Sequence, residues 1–184
     1  MVISIGVLSG IMLAVSMFGL DIHDFGIFLG ENLIAQQELQ LTLKVIVSEM
    51  RGMAQSVNGA YLIESVSQNE IVFYSDRDGD GFTERIRYFL DSNVFKKGVI
   101  EASGNPLAYS EAENITEVVH NVYTAGGNIF GYYDSSYSGT ESELSFPVNI
   151  PLIRLIKITL IVDPNPADPS SRVNFSTSVS IRNL

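Results

Sequence analysis

The sequence predicts an α+β fold in which one long N-terminal α-helix, membrane-spanning in its first half, packs against an antiparallel β-sheet head. Three observations predict it. The first 20 residues carry no charged side chain, and about 20 apolar residues in a helix cross the hydrocarbon core of a bilayer. A helical apolar spacing then continues without proline to about residue 56. Beyond residue 58 the apolar period changes to alternation, which is typical of strands.

These observations divide the chain into three predicted parts. Residues 1–20 are the transmembrane part of the helix, residues 21–57 its amphipathic continuation and residues 58–184 the β-rich head. The pair Asn58-Gly59 is the predicted helix stop. Residues 1–20 lack the basic flank of a cleaved signal peptide, so we interpret them as a retained span, with a buried core helix as the alternative.

Small residues in the apolar half of the predicted helix form a row. Gly6, Gly10 and Ala14 follow one another at intervals of four. Small residues at this spacing let apolar helices pack closely. They are therefore the predicted helix-packing residues of a chain that assembles with copies of itself or with relatives.

The head has seven predicted strands and one ambiguous segment. The strands are expected at residues 60–66, 70–75, 83–90, 94–102, 128–133, 152–162 and 172–182. Residues 111–122 fit a helix or a strand. Prolines and aspartates between residues 162 and 172 forbid regular structure there, so the last two strands are expected to form an antiparallel hairpin.

The composition narrows the function. Eleven Lys and Arg against 21 Asp and Glu give a formal net charge of −10, which argues against binding to nucleic acid. The chain has no cysteine and only two histidines, His23 and His120. The lack of cysteine excludes thiol chemistry, and two histidines leave few candidates for a catalytic histidine. We therefore expect no enzymatic activity.

Several stretches carry a resemblance to a known family. MVISIGVLSGIMLAV and residues 35–53 are similar to the two halves of the N-terminal helix of type IV pilins and pseudopilins. IVFYSDRDGDGFTERIRYFL resembles the hairpin that follows this helix in minor pilins and minor pseudopilins of the J/W kind, and TSVSIRNL resembles their last strand. The resemblance covers essentially the whole chain and implies a pilin-like fold.

The resemblance also implies a function. It suggests a structural subunit of a type IV pilus or type II secretion filament, with other pilin or pseudopilin subunits and the inner-membrane assembly platform as partners. Before assembly such a subunit is held in the cytoplasmic membrane by a single span, with its head outside; afterwards it belongs to an extracellular or periplasmic filament. No cofactor is implied.

One part of the family pattern is missing. Family members begin with a basic leader and a Gly-Phe-Thr-Leu-x-Glu-type processing site, and Met1 of this sequence aligns just after that glutamate. We expect that the start is truncated, so that Met1 is an internal residue. A degenerate family member is the alternative.

An acidic loop lies between the second and third predicted strands. Asp76, Asp78, Asp80 and Gly81 match the opening of a calcium loop, D-x-D-x-D-G, and Glu84 follows three residues later. The twelfth position, which holds a bidentate glutamate in an EF-hand, is Arg87. A weak calcium site and a solvated turn between strands remain the two interpretations.

A second loop and an aromatic run are two further candidate sites. Asp134, Ser136, Ser138 and Gly139 repeat the spacing of the acidic loop with serines in place of two aspartates. This makes a poorer metal site than the first loop. The aromatic run, an exposed binding face or core packing, comprises Phe130, Tyr132, Tyr133 and Tyr137.

The sequence therefore favours a non-enzymatic filament subunit. The alternative is a membrane-anchored extracytoplasmic binding protein that presents the head without polymerising.

Overall fold

Two antiparallel β-sheets and a helix of about 13 residues make up most of the described part of the chain. The structure is a computed structural model that describes residues 6–8, 10, 12, 15–16, 37, 39–124, 127–165 and 171–181. The helix, α1, covers residues 39–51. The strands are β1 Ile63–Val66, β2 Glu70–Ser75, β3 Glu84–Asp91, β4 Val94–Ile100, β5 Asn114–Val119, β6 Phe130–Tyr133, β7 Leu155–Val162 and β8 Val173–Ser180; a 3₁₀ turn lies at Ile150–Leu152.

The strands follow chain order in both sheets. The first sheet has the order β1-β2-β3-β4-β5 and the second the order β6-β7-β8, with every neighbour antiparallel. The hairpin predicted from the last two strands is confirmed: Leu155 pairs with Ser180 and Val162 with Val173. Along β8, half-buried or buried residues alternate with exposed ones, as the period of two requires.

Helix α1 lies on the first sheet. Its buried apolar side chains recur at helical spacing and comprise Leu39, Leu43, Ile46 and Met50. They belong to the same apolar core as residues of both sheets. Just after the helix, the Ala54 N–H donates to the Tyr74 carbonyl at 3.0 Å, so the chain leaves α1 directly onto the edge of β2.

A buried polar cluster fixes α1 on the sheet. Glu49 lies on the packed face of α1 and its residue surface is only 7% exposed. Its carboxylate accepts a hydrogen bond from the Tyr88 hydroxyl at 2.6 Å and pairs with the Lys97 ammonium. The Glu49 carbonyl accepts from the Ser75 hydroxyl at 2.9 Å. The helix is therefore held to three neighbouring strands, β2, β3 and β4.

Aromatic rings connect the two sheets through the core. Phe73, Tyr88 and Phe95 form a row on three neighbouring strands, with ring centroids 6.2 and 5.7 Å apart. Phe95 then contacts Phe130 of the second sheet, with a centroid distance of 6.1 Å. The Tyr132 hydroxyl, which donates to the Ser67 carbonyl at 2.9 Å, adds a polar link between the sheets.

The predicted fold class is wrong. Over the described residues the chain is mostly β, with eight strands in two sheets and a single helix of about 13 residues, instead of a long N-terminal helix packed on a sheet. The C-terminal end of α1 also differs from the prediction, and its physical reason lies at residues 52–54. The Gly52 N–H still donates to the Ser48 and Glu49 carbonyls, but Met53 already bridges to Ser75. Pairing with β2 thus ends the helix before the predicted stop at Asn58-Gly59.

The predicted membrane span is also corrected. Among the described residues, no helix is long and apolar enough to cross a membrane. At about 1.5 Å per residue, α1 is roughly 20 Å long, against about 30 Å of hydrocarbon, and it carries Lys44, Glu49 and Arg51. The predicted single-pass span therefore finds no support in the described part of the chain. Of the predicted span, residues 1–5, 9, 11, 13–14 and 17–20 lie outside the described residues.

The strand predictions fare better. Each of the seven predicted strands overlaps an observed one, and the ambiguous segment contains β5, Asn114–Val119. The observed strands are mostly shorter because their predicted ends enter turns. The division of the chain into three parts, at residues 1–20, 21–57 and 58–184, stays a prediction.

Replacing Glu49 is expected to detach α1 from the sheet. Glu49→Leu leaves the Lys97 ammonium buried without its carboxylate, and breaking one side of a buried pair costs about 3–5 kcal/mol. Urea unfolding, followed by circular dichroism, measures the loss. The double variant Glu49→Leu/Lys97→Met removes both charges and is expected to regain most of the stability.

Lys96→Met provides the control, because Lys96 pairs with the exposed Asp91 and its loss is expected to matter far less. A loss below about 1 kcal/mol in Glu49→Leu would show that the pair does not hold the helix.

Candidate functional site

The acidic loop connects β2 to β3 at one end of the first sheet. Oxygens from the carboxylates of Asp76, Asp78, Asp80 and Glu84 lie within 4.8 Å of one another. The sequence prediction grouped these four side chains, and the structure brings all of them together. Four carboxylates at this separation repel one another unless a cation or water screens them.

Backbone N–H groups of the loop hold its carboxylates in place. Asp76 accepts from the N–H groups of Gly79 at 2.7 Å and Gly81 at 3.1 Å. Asp78 accepts from the Asp80 N–H at 3.2 Å, and Asp80 from the Phe82 N–H at 2.7 Å. Both glycines have positive φ, 79° and 90°, a conformation that a side chain disfavours. The loop closes through its own hydrogen bonds.

Glu84 differs from the three aspartates because it is buried at the start of β3. Burial raises the pKa of its carboxyl group; the hydrogen bond from the Arg77 N–H at 2.8 Å opposes this, and the negative charge of Asp78 adds to it. A cation at the loop would stabilise the ionised form of Glu84.

The donor set fits a hard divalent cation in part. Calcium takes six to eight oxygen ligands, and a carboxylate that accepts one backbone hydrogen bond keeps lone pairs for a metal. The loop offers four carboxylates, whereas Arg87 at the twelfth position pairs with Glu113 at 2.5 Å and supplies no ligand. The four carboxylates could hold calcium weakly; a solvated turn remains the other interpretation.

In the second loop, a carboxylate of the loop itself accepts the hydrogen bonds of the surrounding N–H and hydroxyl groups. The Glu141 carboxylate accepts from the Ser138 hydroxyl at 2.6 Å and from the N–H groups of Ser138, Gly139 and Thr140. The hydrogen bonds from Ser138 come first in lowering the pKa of Glu141 to about 2. Asp134 is likewise engaged by Ser136. This loop is a turn with few free ligands.

Two of the three predicted helix-packing residues are described by the structure, and both are exposed. Gly6 and Gly10 are helical and exposed, and a Cβ built on either would meet no atom within 4 Å. Ala14 lies outside the described residues. Their role in helix packing stays a prediction.

The outward face of α1 was not singled out in the sequence. Leu41 and Val45 lie one turn apart on it and are 61% and 53% exposed. Apolar side chains on the described N-terminal residues are also exposed: Val7, Leu8, Met12 and Val15. The sequence could have indicated this second apolar surface, because α1 has apolar residues on two sides. Only the contact with the sheet shows which side is free.

The remaining candidates are the aromatic run and the two histidines. Phe130, Tyr132 and Tyr133 are buried, so the aromatic run packs in the core and the exposed binding face is excluded. His120 is exposed, with Nε2 3.8 Å from a Glu117 oxygen; His23 lies outside the described residues. That the chain is not an enzyme stays a prediction.

Sequence reasoning missed the cluster of Glu49, Tyr88 and Lys97. The sequence did carry one indication of it: Glu49 lies between Ile46 and Met50, on the apolar side of the helix, where a carboxylate needs a partner. Its partners on β3 and β4 could not be found without the strand register, in which Tyr88 faces Lys97.

Comparisons with known proteins add no relative: no protein-family model matches the chain, and no curated protein matches it.

The Glu141 hydrogen bonds make a pH prediction. Because the folded-state pKa is depressed, the stabilisation from ionised Glu141 is complete above its unfolded pKa and is lost as the pH falls through about 2. Ser138→Ala is expected to raise the pKa of Glu141 toward 4.5, as measured by the carboxyl ¹³C shift during an NMR titration. Thr140→Ala keeps its backbone N–H and is expected to leave the pKa unchanged. Equal values in both variants would contradict the assignment.

Proposed function

We propose that this chain is a non-catalytic structural subunit that assembles with copies of itself or with relatives through its N-terminal helical residues. The filament would be of the type IV pilus or type II secretion kind that the sequence resembles. The observation that carries the proposal is the two-sided helix α1. One side is docked on the first sheet through Glu49, and the opposite side presents apolar residues to solvent.

The exposed side offers free energy for association. Burying an aliphatic side chain fully contributes about 1.5–3 kcal/mol, and Leu41 and Val45 are both more than half exposed. The docked side keeps α1 rigid, so little conformational entropy is lost when a neighbour packs on it. A rigid helix with an open apolar side is suited to helix-mediated assembly. The assembly machinery that the resemblance implies would be its second partner.

A calcium-dependent binding module is the second candidate function. The convergence of four carboxylates within 4.8 Å favours it. We propose that calcium, where it binds, does so between these carboxylates and tightens the end of the first sheet. In this role the head would bind a partner without polymerising.

Assembly is expected to depend on the exposed side of α1. The double variant Leu41→Glu/Val45→Glu puts carboxylates where a neighbour would pack, and the association constant of the full chain is expected to fall at least about tenfold. Sedimentation velocity over a concentration series measures this.

Leu152→Glu is the matched control, because Leu152 is an apolar residue of the head with 49% exposure. Circular dichroism checks that each variant keeps its fold. If the wild-type chain stays monomeric at every concentration, or if both substitutions act alike, the proposed assembly fails.

Calcium binding is tested by melting the full chain. Millimolar calcium chloride is expected to raise the Tm of the wild type, since a ligand that binds only the folded state stabilises it. Asp78→Ala removes one ligand and is expected to abolish the shift, and sodium chloride at the same ionic strength is the control. A wild-type Tm that calcium leaves unchanged, or an equal shift in Asp78→Ala, means that the loop is a solvated turn.

A further inference from the structure

The exposed charges of α1 are positive, whereas the protein as a whole is negatively charged. The chain has a net charge of −10, yet the exposed charged residues of α1 are Lys44 and Arg51. Within the described part of the chain neither has an ion-pair partner, and Glu49, the acid of residues 39–51, is buried. The open side of α1 therefore combines apolar residues with two uncompensated positive charges.

An open groove lies on the same face of the first sheet as α1. Its volume is about 370 Å³, and it is lined by Arg77, Lys97, Val99, Glu101, Glu111, Ala112, Asn114 and Thr116. Lys97 points to the helix side, because it pairs with Glu49. In the register, Lys97 faces Thr116 and Val99 faces Asn114. The groove is thus the part of this sheet face, over β4 and β5, that α1 leaves uncovered.

The groove has two acids without a cation. Glu101 and Glu111 form no ion pair among the described residues. The Ser103 hydroxyl donates to Glu111 at 3.1 Å, which places Glu111 at the same end of the groove as Glu101. Of the cations lining the groove, Lys97 is committed to Glu49, and Arg77 belongs to the acidic loop, where its charge favours the ionised form of Glu84.

We propose that the open side of α1 in one copy docks in the groove over β4 and β5 of a second copy. Lys44 and Arg51 would face Glu101 and Glu111, while Leu41 and Val45 cover the apolar wall at Val99. This deepens the proposed assembly and rests on it. A helix of one subunit against a sheet of the next is a heterologous contact, which gives a ring if its rotation closes and a filament if it does not; the proposed assembly is the filament.

The two positive charges of α1 lie on one side of the helix. Lys44 and Arg51 are seven residues apart, so they lie on one side of the helix about 10 Å from each other. Charges that match across an interface fix its register and exclude other partners. Because the charges on both surfaces are exposed, salt is expected to weaken the contact.

The test is a charge reversal with complementation in the full chain. The variant Lys44→Glu/Arg51→Glu and the variant Glu101→Lys/Glu111→Lys are each expected to lose self-association at least tenfold, because each places like charges opposite one another. When they are mixed in equal amounts, the reversed helix of one matches the reversed groove of the other. Association is then expected to return to within a few-fold of the wild type in sedimentation velocity.

Glu117→Lys/Glu143→Lys is the control for the groove reversal, since it makes the same change of net charge outside the groove and is expected to associate like the wild type. Loss in each reversal with recovery in the mixture supports the docking. If the wild type associates but the reversals change nothing, or the mixture stays dissociated, the groove contact is overturned while helix-mediated assembly stands. If the wild type does not associate at all, the proposed function itself fails.

Discussion

The fold depends on the contact between Glu49 of α1 and Lys97 of β4 beneath the Tyr88 hydroxyl. An ion pair this far from water gains little stability over an apolar substitute, but losing either partner alone is costly. The pair therefore acts chiefly as a constraint. The pair fixes the position of α1 along the sheet and the side of the helix that faces the sheet, because only in this arrangement do the Glu49 carboxylate, the Lys97 ammonium and the Tyr88 hydroxyl meet.

That constraint determines which surfaces are left for function. With Glu49 fixed, Leu43, Ile46 and Met50 must enter the core, and Leu41 and Val45 must face solvent. The same rotation directs Lys44 and Arg51 outward and leaves the sheet over β4 and β5 uncovered. A basic, apolar helix side and an acidic groove thus arise from a single docking geometry. In a chain with a net charge of −10, these unlike surfaces are the basis of the proposed contact between copies.

Local patterns predicted much of this molecule. The alternation in β8, the hairpin with β7 and the convergence of Asp76, Asp78, Asp80 and Glu84 depend on neighbouring residues, and the sequence carried them. The helix end was missed because Met53 and Ala54 pair with a strand twenty residues away, which overrides their helical spacing. The groove acids were missed because Glu101 and Glu111 lie beyond the ends of β4 and β5, and it takes the pairing of these strands and the bridge between Ser103 and Ala108 to place both acids along one groove.

One side of α1 is packed in the core, and the other is the side that we propose packs against a neighbouring copy. Hydroxyl-radical footprinting of the full chain with mass spectrometry, at low and high protein concentration, tests both halves together. We predict that Met50 is protected from oxidation at both concentrations, whereas Leu41 is oxidised in dilute solution and becomes protected as the chain associates. Oxidation of Met50 in the dilute folded protein, or equal oxidation of Leu41 at all concentrations, would contradict the account.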